Sequence, residues 1–217
     1  MKIVLAQTKG GVGKTTLAVN LAVARSQAGR DLLLVDADEQ GTASDFTALR
    51  TEQLGSPGYT AIQLSGAAVR TQVLQMAGKY DDVIIDAGGR DTGGLRAALT
   101  VADVAVVPFQ PRSFDIWTLD KVAGLIGEAR IINPGLRAVA VLNFADAQGA
   151  DNVAAAEALA NADGIDFLDC PIGRRKAFPN AAAEGRAVTE LKRPDAKASA
   201  ELNSLIDAIF QLEPVAE

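Results

Sequence analysis

One short stretch limits the possible folds more than any other: "QTKGGVGKTT", residues 7–16, directly after the apolar run Ile3, Val4, Leu5, Ala6. From Thr8 to Thr15 it nearly matches the phosphate-loop spacing Gly-x-x-x-x-Gly-Lys-Ser/Thr, with only the leading glycine replaced, by Thr8. A strand that turns through glycines into a helix aims backbone N–H groups and the positive end of a helix dipole at an anion. Gly10, Gly11, Val12 and Gly13 supply the turn, and the N–H groups of Gly13 to Thr16 face the phosphates. Lys14 neutralises the β and γ phosphates, Thr15 offers a hydroxyl to magnesium, and Thr16 donates to the α-phosphate. Such a loop needs one lysine, and Lys9 is a second.

Composition narrows the chemistry around this loop. The 217 residues fit one domain with a substantial core. The chain has no histidine, which excludes a histidine general base and Ser/His/Asp chemistry. Cys170 is the sole cysteine, so no intrachain disulfide or multi-cysteine metal site can form, and a reducing cytoplasm is expected. The N-terminus lacks the length and cleavage site of a secretory signal, and no apolar run reaches membrane-spanning length.

Apolar runs alternate with longer segments of helical period, the pattern of an α/β domain with a mainly parallel, twisted central sheet flanked by helices in three layers. The runs are 2–7, 31–38, 81–87, 103–109 and 137–144, each nearly all apolar, as expected of strands covered on both faces. Helices are expected at 15–28, 44–54, 66–79, 92–102, 114–130, 149–162 and 196–212, with Gly29 as the C-cap of the first and a loop at 54–58. No repeat or linker divides the chain, so residues 1–217 read as a single domain. The last helix carries Leu202, Leu205, Ile206, Ile209 and Phe210 at helical spacing among acidic Glu201, Asp207 and Glu213, which favours packing on its own core over an anionic membrane.

Two further strands end in acids. "VDADEQGT" places Asp36 and Asp38 on one side of an extended chain, at the sheet edge where ligands bind. A carboxylate there can hold a magnesium-bound water or orient an attacking water; alternatively, Asp36 only ends the strand and Asp38 caps the helix near Ser44. In "VIIDAGG", Asp86 occupies the place of a magnesium-associated aspartate, and Gly88 and Gly89 loosen the loop that follows.

Taken in order, "KGGVGKTT", "DADEQG", "IIDAGG" and "VVPFQPRSFDIW" resemble the ParA/MinD superfamily of deviant Walker ATPases, most nearly the short ParA-type (ParF-like) partition ATPases. The resemblance runs over essentially the whole chain and implies a P-loop NTPase fold, ATP and magnesium as ligands, and slow ATP hydrolysis. It makes Lys9 the signature lysine that reaches across an ATP-bound homodimer to the other subunit's phosphates. It also makes Asp38 the switch I aspartate that orients water, and Asp86 the switch II aspartate near magnesium. By the same resemblance, Asn143 reads adenine and Pro171 lines that pocket. The chain departs from the pattern at Glu39, where proline is usual, and at "AGGRD", where many relatives have a proline-containing turn. It opens directly at the first strand, without the DNA-reading extension of longer partition ATPases.

Residues 170–197 hold Arg174, Arg175, Lys176, Arg186, Lys192, Arg193 and Lys197 against Glu184, Glu190 and Asp195. In a chain of net charge −6, that local excess suits sequence-independent phosphate contact, or else a solvated face with scattered ion pairs. The resemblance implies non-specific DNA binding there, with Arg174 and Arg175 foremost, and a ParB-type centromere-binding or other cargo adaptor as partner on the nucleoid. "PRSFDIWTL" reads as a Ser113 cap and a helix burying Phe114, Trp117 and Leu119 rather than a site at Asp115. Cys170 reads as a small buried hydrophobe. The leading expectation is therefore a DNA partition ATPase. Its alternatives are an accessory ATPase of conjugation or DNA transfer, a MinD-like membrane-surface ATPase, which needs a basic amphipathic C-terminal helix, and a metabolic P-loop enzyme.

Overall fold

The structure, a computed structural model, describes residues 1–111, 118–146 and 150–212; the expected Ser113 cap, with Phe114, Asp115 and Trp117, and Glu213 lie outside the described residues. Seven strands pair in parallel: β1 (Lys2–Leu5), β2 (Leu32–Ala37), β3 (Thr60–Gln63), β4 (Asp82–Ala87), β5 (Val104–Phe109), β6 (Arg137–Ala145) and β7 (Asp166–Gly173). Their order is β3-β2-β4-β1-β5-β6-β7, with β1 at the centre. The described helices are α1 (Lys14–Gln27), α2 (Thr42–Leu54), α3 (Ala68–Met76), α4 (Gly93–Leu99), α5 (Leu119–Arg130), α6 (Ala150–Ala160), α7 (Ala177–Ala183) and α8 (Ala196–Phe210).

Both sheet faces are buried, which is why the central strands read as unbroken apolar runs. Val4, Val35, Ile85 and Val107 point into one core beneath α3, α4, α5 and α6. Ile3, Leu34, Ile84 and Val106 point into the other, which Leu17 and Leu21 of α1 share with Phe46 of α2. Leu202, Leu205 and Ile209 of α8 are fully buried in this second core, as expected of a helix packed on its own domain. Gly29 follows α1 at φ 77°, and its N–H bonds the Ser26 carbonyl, the glycine stop expected there.

Two strands were not expected. β3 and β7 lie at the sheet's edges, where each pairs on one side only, and both alternate between exposed and partly buried residues instead of forming apolar runs. Cys170 lies on β7 and is half-buried, not fully buried; it packs against the second core and its sulfur accepts from Ser204 Oγ at 3.6 Å.

A buried ion pair joins α2 to the chain's C-terminal third. Arg50 is 6% exposed and places Nη1 and Nη2 on the two carboxylate oxygens of Glu190, at 2.7 and 2.9 Å. The same guanidinium donates to the carbonyls of Pro57 and Gly185. Burial alone would push Glu190 up, but the Arg50 fork and the Ala187 N–H hold its carboxyl below the ordinary range. A side chain at Gly185 would meet the Arg50 Cα at 2.7 Å, so the two segments touch backbone to backbone. Removing one partner strands the other, so Arg50→Ala is expected to cost about 3 kcal/mol in urea unfolding. Arg50→Ala combined with Glu190→Ala should recover part of that loss; simple additivity of the two variants would show that the pair is not coupled.

Candidate active site

With β1 flanked by β4 on one side and β5 on the other, the chain leaves the sheet centre in both directions, and ligands in open α/β sheets bind at such a switch point. The carboxyl ends of β1, β2 and β4 meet there. Register pairs Leu5 with Asp86 and Asp86 with Asp36, so the root of the glycine loop and both aspartates stand in one row. Above this row lies a cleft of about 860 Å³. Gly10, Gly11, Gly13, Lys14, Thr15 and Thr16 form its floor; Asp38, Glu39 and Gln40 line one wall, and Gly88, Gly89 and Arg90 another.

The loop is held from beneath by side chains whose role the sequence pattern did not reveal. Gln7 is fully buried: its Oε1 accepts from the Thr8 N–H at 2.8 Å and its Nε2 donates to the Pro108 carbonyl. Asn143 donates to the Val12 carbonyl at 2.7 Å and is 2% exposed. Gly13 has φ 88°, and a Cβ there would stand 2.2 Å from Asn143 Nδ2, so this position takes glycine only. Asn143, the amide expected to read adenine, makes these contacts beneath the loop, and its neighbour Phe144 lines the cleft. Pro171 is exposed on the edge strand β7, where a residue without an N–H is tolerated, next to Ile172, the register partner of Asn143.

Lys14 opens α1 and reaches back to the Lys9 carbonyl at 3.2 Å. Burial holds its ammonium below the usual lysine range, while Asp86 and Asp38 pull it back up. Lys9 is half-buried and does not line the cleft. Asp38 is half-buried and lines it, with Oδ1 accepting from the Gln40 N–H.

Asp36 and Asp86 are both buried but differ in their partners. Asp36 Oδ2 accepts from the N–H and hydroxyl of Ser44, each at 2.8 Å, and Oδ1 accepts from the Asp38 N–H. Asp36, not Asp38, therefore anchors α2, which begins at Thr42 after Gly41; the acid at the strand end lies closer to the helix's first turn than the one two residues on. Asp86 is fully buried, and among the described residues neither oxygen has a hydrogen-bond partner. Its carboxyl is pushed up to about 7 by burial, reinforced by Asp36 and Asp38 and opposed by Lys14 and by the Thr15 hydroxyl, which faces it without reaching hydrogen-bond geometry. A bare carboxylate beside a threonine hydroxyl at the phosphate loop is the hard-oxygen donor set that magnesium takes together with phosphate oxygens. The residues thus fit that ion, with Asp86 and Thr15 to hold it.

The basic segment is more divided than its composition suggested. Arg175 donates through Nε to Glu201 at 2.8 Å, and Arg186 lies 3.6 Å from Glu184. Arg174 is exposed, its guanidinium 5.3 Å from the centre of the Phe144 ring. Lys176, Lys192, Arg193 and Lys197 are also exposed.

Comparison with known proteins agrees with this geometry. Residues 3–188 match the CobQ/CobB/MinD/ParA nucleotide binding domain. The chain is 27% identical over 210 residues to the maintenance of carboxysome distribution protein A of Halothiobacillus neapolitanus, covering 96% of this chain and 95% of that one. It is 33% identical over 171 residues to the chromosome-partitioning ATPase Soj of Thermus thermophilus, covering 65% and 68%. Among solved structures, the ATP complex of a Cyanothece McdA variant superimposes with a TM-score of 0.80 at 18% identity, over 99% of this chain and 98% of that one, which bears on the fold.

The bare aspartate has a measurable consequence. Without metal or nucleotide, the folded chain holds the Asp86 proton up to about pH 7, whereas the unfolded chain releases it near its ordinary value of 3.8. Between those values the folded state binds more protons, so stability falls as pH rises, by at most about 1.4 kcal/mol per pH unit. Unfolding midpoints of the apo chain should fall with this slope as pH rises from about 5 toward 7 and level off above it, and Asp86→Asn should flatten the fall. An unchanged slope in the variant would mean that Asp86 is not the group responsible.

Proposed function

The chain belongs to the CobQ/CobB/MinD/ParA nucleotide-binding family and is an ATPase of the ParA/MinD kind, and from that premise we propose that it positions or segregates a cargo along DNA through cycles of ATP binding and hydrolysis. The observation that carries the reading is the Asp86 carboxylate, buried without a partner beside Thr15 and Lys14 at the phosphate loop. In this reading, Gly10 to Thr16 hold the phosphates through backbone N–H groups, Lys14 neutralises the β and γ phosphates, and Asp38 orients the attacking water. Magnesium, when bound, draws charge from the phosphate oxygens. Lys9 acts across an ATP-bound homodimer, delivering a positive charge to the partner's triphosphate. Water adds to the γ phosphorus as the bond to the β-phosphate oxygen breaks, leaving ADP and phosphate. Turnover is slow alone, and an adaptor of the ParB type, or another cargo protein, stimulates it.

The dimer's DNA contacts are backbone contacts without base reading, from the exposed Arg174, Lys176, Lys192 and Arg193. Arg175 and Arg186 contribute less, since carboxylates already hold them. Two kinds of cargo suit the relatives: DNA, as the name of Soj indicates, and a protein body, as the name of the carboxysome distribution protein indicates. A membrane-surface role is less well supported. No described helix is long and apolar enough to cross a membrane, and the apolar side of α8 is buried in the core.

Binding to random duplex DNA and to anionic liposomes, each with ATP, ADP or no nucleotide across a salt series, tests the reading. ATP-dependent, steeply salt-sensitive DNA binding without liposome binding is expected; no DNA binding in any nucleotide state would remove DNA as the track. Lys9→Ala is expected to bind ATP but neither dimerise nor turn over, and a variant that cannot bind ATP as a monomer would rule out action across the dimer. Asp38→Ala should bind ATP and accumulate as a dimer, whereas unchanged turnover would take Asp38 out of the reaction.

A further inference from the structure

The loop after β4 contains a cation whose position is set by its neighbours while, among the described residues, its own side chain is left unpartnered. Gly89 lies against the phosphate loop: a Cβ there would meet the Gly10 Cα at 2.8 Å and Lys14 Nζ at 3.4 Å. Gly88 lies similarly against the other wall, where a Cβ would stand 3.4 Å from Asp38 Oδ1. On the far side, Asp91 is gripped by Arg96 through Nε at 2.6 Å and Nη2 at 2.9 Å, and Arg96 also reaches Glu128 of α5. Thr92 then caps α4, its hydroxyl accepting from the Leu95 N–H.

Between these fixed points stands Arg90. It is exposed, it lines the cleft, and no hydrogen bond or ion pair engages it among the described residues. Arg90 directly follows Gly89, whose contact is with the tip of Lys14, so its backbone lies about 4 Å further along the chain. A phosphate-loop lysine marks the β and γ phosphates. Arg90 therefore enters the cleft at its terminal-phosphate end, whereas Phe144 bounds it at the Gly13 end. The acidic residues Asp38 and Glu39 line the opposing wall, and neither lies within ion-pair distance of the guanidinium.

We propose that Arg90 binds the terminal phosphate of ATP from within its own subunit, making this site selective for the triphosphate over the diphosphate. The assignment rests on the ATPase reading above and deepens it. A planar guanidinium with five donors suits a phosphate bearing three free oxygens, and only the triphosphate presents that group at this end of the loop. Loss of Arg90 should weaken ATP binding while leaving ADP almost untouched. Because the loop's backbone is held by Gly89, Asp91 and Thr92, the side chain can change without unfolding the segment.

The test measures affinities for a slowly hydrolysed ATP analogue and for ADP, both with magnesium, in the wild type, Arg90→Ala and Arg90→Lys. The same measurements in a Lys9→Ala background remove the charge supplied across a dimer. Arg90→Ala is expected to lower the ratio of triphosphate to diphosphate affinity about tenfold in both backgrounds, the size of a lost charge-assisted hydrogen bond. Arg90→Lys should recover part of that ratio, with melting temperatures unchanged. An equal drop for both nucleotides, or none, would overturn the assignment and leave the ATPase reading standing. A loss confined to the background that retains Lys9 would place Arg90 at the dimer contact and also overturn it. A wild type that binds neither nucleotide would sink the ATPase reading and this assignment with it.

Discussion

The site depends on charges that the fold buries without fully pairing. Lys14 and Asp86 both sit where desolvation pushes them toward neutrality, the lysine's affinity for its proton lowered and the aspartate's raised. Each opposes the other's shift. A phosphate chain and a divalent cation would supply what both lack, since the phosphates answer the lysine and the metal answers the carboxylate. Asp36, one strand over and in register with Asp86, shows the alternative. Its oxygens accept from the chain itself, so it holds α2 in place and does not line the cleft.

Close backbone approach maintains this arrangement. The phosphate loop is squeezed from below by Asn143 at Gly13 and from above by Gly89 at Gly10, both at separations that no side chain could share. Each wall of the cleft thus touches the loop or its aspartates directly, and displacement of one bears on the others. At a third point, Gly185 against Arg50, α2 meets the segment that leads to Lys192 and Arg193. Asn20 of α1 accepts from the Val188 N–H in the same segment, so both helices that follow site loops are tied to the basic region.

Much of this was legible in the sequence, and the gaps have physical reasons. The phosphate loop, the five apolar strands and the acids at their ends are local patterns, readable because central parallel strands must be apolar throughout. β3 and β7 were not readable because an edge strand is half-exposed and carries no such pattern; "TAIQ" and "DFLDCPIG" look like loop sequence. Which of Asp36 and Asp38 serves structure depended on Ser44, eight residues from Asp36, folding back onto it. Similarly, Arg175 looked available until Glu201, on a helix distant in sequence, closed on it. Gln7 and Asn143 were visible as polar residues bordering apolar strands, but their support of the loop depends on contacts across about a hundred residues or more.

The proline on β7 bears on how copies of this chain can gather. An unprotected edge of a parallel sheet invites another strand, and two copies joined in that way could extend without limit. Pro171 brings no N–H to this border strand, and the register between β6 and β7 is already irregular beside it. Growth of a filament by sheet continuation is thereby discouraged at that border.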